Sequence, residues 1–261
     1  MTTLDPALAH ALNVRLVDHR QLGAEPADHA VIQTSTIAAL LDTKYDGDVT
    51  IGEVLAGGDL GLGTLNGLDG ELIIVDGEAW QAPAEGPVRR VSADEKTPFA
   101  VATRFITDEI VEIDSPLNHG ELLDLLEQHA PQQSGCDAIR IDGLFPAVHV
   151  RSVYRQEEPY PPFADAAAHQ VEWHYEALRG TVVGFRFPHA ASSVEMAGHH
   201  LHFISDDRTK AGHLLECSVG PATLRIEAVG EMRLELPPGV ELPHPSEIPS
   251  DSQLREVEGG G

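Results

Sequence analysis

An α+β fold dominated by sheet is what this sequence predicts, on three observations. Short apolar runs rich in valine and isoleucine recur along its length. Glycines and Asp-Gly pairs punctuate them at hairpin spacing. The helical patterns between them are few and brief, and there is no internal repeat or low-complexity segment.

Taken in order, residues 1–27 read as an N-terminal extension. Residues 4–17 predict a short helix, followed by the polar linker GAEPADHA. Residues 36–41 predict a short helix that Asp46-Gly47 ends. Thr50 and Glu53 form a capping-box pattern, in which each side chain satisfies the other residue's backbone N–H. It starts a helix through Leu55 that Gly57-Gly58 stops. Residues 60–66 predict a strand. Asp76-Gly77, between residues 72–75 and 78–81, is a two-residue hairpin signal, because both turn positions demand positive φ. Residues 100–106 predict a further strand. Asn118 with Glu121 caps a helix to His129, with leucines at 122, 123, 125 and 126. Residues 136–141 and 147–153 predict two strands around an Asp142-Gly143 turn. Residues 181–187, 200–204, 213–219 and 223–229 predict the later strands. Residues 236–249 are rich in proline, and residues 252–257 predict a short polar helix before three glycines.

Composition narrows the function. Forty-two acidic residues against 17 lysines and arginines give the 261-residue chain a formal charge of −25. Little positive charge is left to displace counterions from a duplex or to dock on an anionic bilayer. No run approaches the roughly 20 apolar residues of a membrane span. The start, MTTLDPALAHALNVRL, lacks a basic region followed by a continuous apolar one, so a cytoplasmic location is expected. Cys136 and Cys217 are too few for a disulfide framework and read as buried thiols. GDLGLG is glycine-rich, but no long helix follows it, so it does not read as a nucleotide cradle.

Fourteen histidines are many, and the question is whether any of them cluster. In GHHLHFISDDRTKAGHLLE, strand periodicity puts His200 and His202 on one face and His199 on the other. The polar stretch 205–212 reads as a turn, so a hairpin brings His213 beside the pair. Three neutral imidazoles that leave coordination positions open are the pattern of a catalytic metal site. His10, His149, His169 and His174 have no such company in sequence and read as structural or surface residues.

Glu71 follows Asp69-Gly70 at the head of the apolar strand LIIV. Burial there raises a carboxylate's pKa and a nearby cation lowers it, so residue type alone leaves its state open. Arg151, in AVHVRSV, is either an exposed strand residue or a two-pronged grip on a carboxylate. The histidines also suit a cupin-like metal-dependent dioxygenase or isomerase. Against that, a cupin's glutamate follows soon after its His pair, whereas here Asp206-Asp207 lie in the turn. A non-enzymatic metal-binding module, with Glu71 and Arg151 incidental, is the third reading.

Several blocks then make the chain, from about residue 31 to 258, resemble the bacterial α-acetolactate decarboxylases: TSTIAALLDTKYDGDVTIGEVLAGGDLGLGTLNGLDGELIIVDGEAWQ, TPFAVATRF, AIRIDGLF, VRSVYRQEEPYPP, GTVVGFRFP and the histidine block. The resemblance implies a lyase that turns 2-acetolactate into (R)-acetoin and carbon dioxide. It implies zinc, Zn2+, on His200, His202 and His213, and no organic cofactor. The family's glutamate after the Leu-Asp-Gly turn falls on Glu71. Its threonine in Gly-Leu-Gly-Thr falls on Thr64, and its arginine in Arg-Ser-Val on Arg151. A second glutamate from near the C-terminus falls on Glu258, with Glu256 its neighbour. His199 stands where the family usually has tyrosine. The resemblance further implies two packed mixed sheets, a homodimer, and a catalytic unit over residues 28–261 in two β-rich halves, roughly 28–155 and 156–261.

Overall fold

The computed structural model describes residues 12–24, 27–130, 135–192 and 194–242. Their strands, in chain order, are β1 (Asn13–Val17), β2 (Ala30–Thr34), β3 (Val49–Thr50), β4 (Leu60–Thr64), β5 (Glu71–Val75), β6 (Glu78–Ala82), β7 (Arg89–Arg90) and β8 (Lys96–Thr97). There follow β9 (Phe99–Thr103), β10 (Glu109–Ile113), β11 (Cys136–Ser152), β12 (Val171–Phe187), β13 (Gly198–Ser205), β14 (Ala211–Ser218), β15 (Ala222–Val229) and β16 (Glu231–Glu235). The helices are α1 (Ile37–Leu41), α2 (Ile51–Gly57), α3 (His119–His129) and α4 (Phe163–Ala167).

Eight strands form one sheet, in the order β1-β16-β2-β9-β4-β5-β6-β7, and six form a second, β10-β15-β11-β12-β13-β14. Strand β16 runs parallel to β1 and β2, so the first sheet is mixed. Strand β14 also pairs with β11, and the ladder β11-β12-β13-β14 closes on itself. The sheet-dominated α+β class holds.

Alternation along the strands builds the core. Ile73 and Val75 of β5 meet Ala138, Val183, Phe185 and Ile204 between the sheets. Leu72 and Ile74 point the other way, onto Ile51 and Val54 of α2. Leu201 and Phe203 leave the inter-sheet face for the layer that Leu122 and Leu126 of α3 cover. Burying each such side chain fully is worth about 1.5–3 kcal/mol. Helices α1, α2 and α3 start at Thr36, Thr50 and Asn118, whose side chains accept the N–H of Ala39, Glu53 and Glu121. The last two complete the expected capping boxes.

Two expectations are overturned. Residues 13–17 are not helical: Asn13–Val17 is a strand along β16, where backbone pairing outweighs a weak local helix preference. Residues 4–11 of the expected helix lie outside the described residues. Nor do Asp142 and Gly143 make a turn. They pair with Thr181 and Gly180 inside one 17-residue strand. Gly143 is there for close approach, since a Cβ would come 2.3 Å from that of Ala222. Asp142 is there for charge, since Arg140, Thr181 and Arg225 all donate to it. Strands β10 and β16 and the first half of β12 had no strong sequence signal. The expected helix at 252–257 lies outside the described residues.

Strand β11 changes face near Pro146. Ile139, Ile141 and Phe145 pack under α3, and so do Val148 and Val150, which shifts the alternation by one residue. Opposite the shift, Ala177 has φ 51°. The slip turns the odd-numbered residue Arg151 away from that layer.

Candidate metal centre

Strand period two and one hairpin assemble the histidines. His200 and His202 share the inter-sheet face of β13, and His213 of β14 is the direct cross-strand partner of His202. Gly184 lets β12 lie against this strand, since a Cβ there would come 2.1 Å from the His200 carbonyl oxygen. The three rings stand 5.1 to 5.3 Å apart between centroids, tilted by 51 to 70°. One ligand nitrogen from each lies within 4.8 Å of the others, and all three residues are buried.

One ring's proton is directed away from the centre. His202 Nδ1 lies 2.9 Å from the carbonyl oxygen of Leu72. A carbonyl only accepts, so Nδ1 carries the proton and Nε2 offers its lone pair. Burial, then the neighbouring His200, push the His202 pKa well below the usual histidine value. Its Nε2 is buried and has no hydrogen-bond partner among the described residues. A buried, neutral, unpartnered imidazole nitrogen between two others is what a divalent metal with nitrogen ligands requires, so the residues fit such an ion. His200 Nδ1 faces Glu195 Oε1 at 3.4 Å.

The opposite sheet supplies the acid. Gly70, at φ 73°, ends a tight turn, and a Cβ there would come 2.4 Å from the Ala82 oxygen. The Thr64 hydroxyl donates to the Gly70 oxygen at 2.7 Å, and Thr64 pairs across the ladder with Glu71. The turn therefore delivers Glu71 to the inter-sheet face, nearly buried. Its Oε2 lies 3.6 Å from His202 Nε2. Its Oε1 lies 3.4 Å from Arg151 Nη1. Arg151 is 2% exposed and sits opposite His213 in the β11–β14 ladder. It is an inward arginine, not an exposed strand residue.

Thr64, Glu71, Arg151 and His200 line one cleft of about 430 Å³. Ile37, Leu40, Leu68, Phe99, Val153 and Phe163 form its apolar wall. Polar groups at one end of an apolar cleft suit a small substrate with a charged head. Asp206 and Asp207 stay out of it: Asp207 accepts from Ser205 and Thr209 within the exposed turn, so the acids that follow the histidine pair in sequence do not reach it. Glu258 and Glu256 lie outside the described residues.

Two relations escaped the sequence reading. Glu195 has no local signal, because a turn rather than strand periodicity brings it to His200. His149 and His174, read as lacking company, are cross-strand partners whose rings stack on the surface. His199 faces away from the trio, 3.6 Å from Glu127, and burial pushes its pKa down to about 4.

A family model described as alpha-acetolactate decarboxylase matches residues 31–242. The alpha-acetolactate decarboxylase of Methylococcus capsulatus is 40% identical over 210 residues, 80% of this chain and 81% of its own. That of Klebsiella aerogenes is 37% identical over 92% of this chain and 93% of its own. The crystal structure of the Bacillus subtilis strain 168 enzyme superposes with a TM-score of 0.83 at 34% identity, covering 88% of this chain and all of the other. No helix among the described residues is long and apolar enough to cross a membrane. The chain belongs to the alpha-acetolactate decarboxylase family of carboxy-lyases.

Proposed function

We propose that this protein decarboxylates 2-acetolactate to (R)-acetoin and carbon dioxide, with zinc held by His200, His202 and His213. One observation carries the reading: three clustered imidazoles, one of which lines an apolar-walled cleft together with a carboxylate and an arginine. When bound, zinc supplies Lewis acidity at the substrate's keto and hydroxyl oxygens, worth several kcal/mol as negative charge gathers there.

The chain's own residues do the rest. Arg151 offers parallel N–H groups to the substrate carboxylate and holds it beside the histidines. Loss of carbon dioxide leaves an electron pair that the neighbouring carbonyl accepts, giving an enediolate. Glu71 then delivers a proton to the carbon that lost the carboxylate. It is fixed between Arg151 and His202, so it serves one face of that carbon and sets the hand of the product. Glu258, from the tail, is the second carboxylate of the proposal. Solvent returns the proton, so each turnover consumes one. Thr64 keeps the turn before Glu71 in place through Gly70. The apolar wall receives the methyl groups and keeps water from competing for the charged intermediate. The same reading includes a homodimer, which sedimentation tests.

The experiment is direct. Folded, zinc-loaded protein is given racemic acetolactate, and acetoin is resolved on a chiral phase. (R)-acetoin supports the proposal, and no acetoin removes it.

A further inference from the structure

We propose that Glu195 is the positioning residue of the metal centre: its carboxylate takes the Nδ1 hydrogen bond of His200 and so turns Nε2 toward the ion. The proposal rests on the zinc reading above and names a residue that acts through a ligand.

Glu195 has no exposed surface. It lies just before β13, in a connection pinned on both sides. The Val194 oxygen accepts the Ile37 N–H at 3.1 Å and the Gln33 amide at 2.9 Å. The Glu195 N–H donates to the Ala191 oxygen at 2.9 Å. The carboxylate is held as well. Oε1 accepts the Met196 N–H at 2.9 Å and lies 3.4 Å from His200 Nδ1. Oε2 is buried without a hydrogen-bond partner among the described residues.

Closing the Met196 turn needs only a neutral acceptor, which glutamine supplies equally well. The negative charge is surplus to that task. A carboxylate so enclosed calls for positive charge nearby. A dication on three neutral imidazoles provides it one ring away. A carboxylate on the far nitrogen fixes a ligand's tautomer and ring orientation and raises its basicity. His202 receives this service from a backbone carbonyl, that of Leu72. His200 receives it from an acid, the stronger acceptor. The two rings of one strand are thus tuned unequally.

Glu195→Gln keeps the shape and the acceptor for Met196 and removes the charge. Zinc affinity is measured on folded, metal-free full-length protein by competition with a chromophoric chelator. The expected loss in the variant is about 10- to 100-fold, with an altered visible spectrum of the cobalt-substituted protein. In a His200→Ala background the same substitution is expected to change affinity little. A second measurement needs no variant: in zinc-loaded wild type, the His200 Nδ1 proton is expected downfield and slow to exchange. Wild-type affinity and spectrum in Glu195→Gln, or a fast-exchanging Nδ1 proton, overturn the positioning role while leaving the zinc reading intact. A wild type that binds no zinc overturns the zinc reading, and this proposal with it.

Discussion

Three clusters among the described residues pass the same distance test for a metal; two of them rest on a histidine pair, and only one of those two is built as a centre. His200, His202 and His213 bring one ligand atom each within 4.8 Å, and so do His149, Glu172 and His174. Both use a directly opposed cross-strand histidine pair. The resemblance ends there. The buried rings tilt around a common point, whereas His149 and His174 stack at 3.9 Å and 21°. Stacked rings aim their lone pairs side by side, not at one place. His149 Nε2 already meets Glu172 at 2.8 Å. On the buried side, His202 Nδ1 and His200 Nδ1 meet Leu72 and Glu195 outside the centre, and all three rings are buried. Closeness is easily reached on a strand pair; convergence, dryness and assigned protons are what make ligands.

The strongest way to break this contrast is to remove one histidine from each cluster. His202→Ala is expected to lose the metal and about 10³-fold or more of turnover. His149→Ala is expected to keep both, by metal analysis and acetoin assay; equal losses would erase the distinction. The next test asks whether reaction partners belong to the buried cluster alone. Glu71→Gln is expected to retain zinc while turnover falls by about 10²- to 10⁴-fold, and any residual acetoin should be less pure in hand. Arg151→Ala, with metal content near normal, is expected to cost about 10²- to 10³-fold, mostly in kcat/KM. An unchanged rate would make that arginine structural.

The smallest effect concerns His199, which shares the strand of the buried trio but not its face. Its folded pKa of about 4 lies below the ordinary histidine value. As pH falls below about 6.5 the unfolded chain takes up a proton that the folded chain refuses until about 4, so this residue costs stability on acidification. His199→Tyr, compared with wild type by melting temperature, is expected to gain roughly 1–3 kcal/mol between those limits and nothing further above them.

What can be read in the sequence is what depends on short range. The trio follows from strand period two plus one hairpin, and α2 and α3 follow from reciprocal caps. Glu71 is legible as a position, yet its burial depends on a second sheet that no local pattern announces. Arg151 reaches the cleft only because β11 slips near Pro146, where Phe145 and Val148 both choose the layer under α3. Asp142-Gly143 misleads for a related reason. The pair is tuned to neighbours 39 and 79 residues further along, Thr181 and Ala222, and not to a turn. Glu195 is the extreme case: a connection pinned to α1 and β2 sets its place, so spacing from His200 carries no hint of it.

The closed ladder of the second sheet has a consequence for how the catalyst tolerates change. His200, His202, His213 and Arg151 all sit on that ring of strands, so in the proposed function the grip on the ion and on the substrate's charged end moves as one rigid body. Glu71 and Thr64 ride on the other sheet and reach across. On that proposal, a substitution that lets one layer slide over its neighbour is expected to leave recognition nearly whole and to misaim the proton, so the enantiomeric purity of the product would degrade before substrate affinity does.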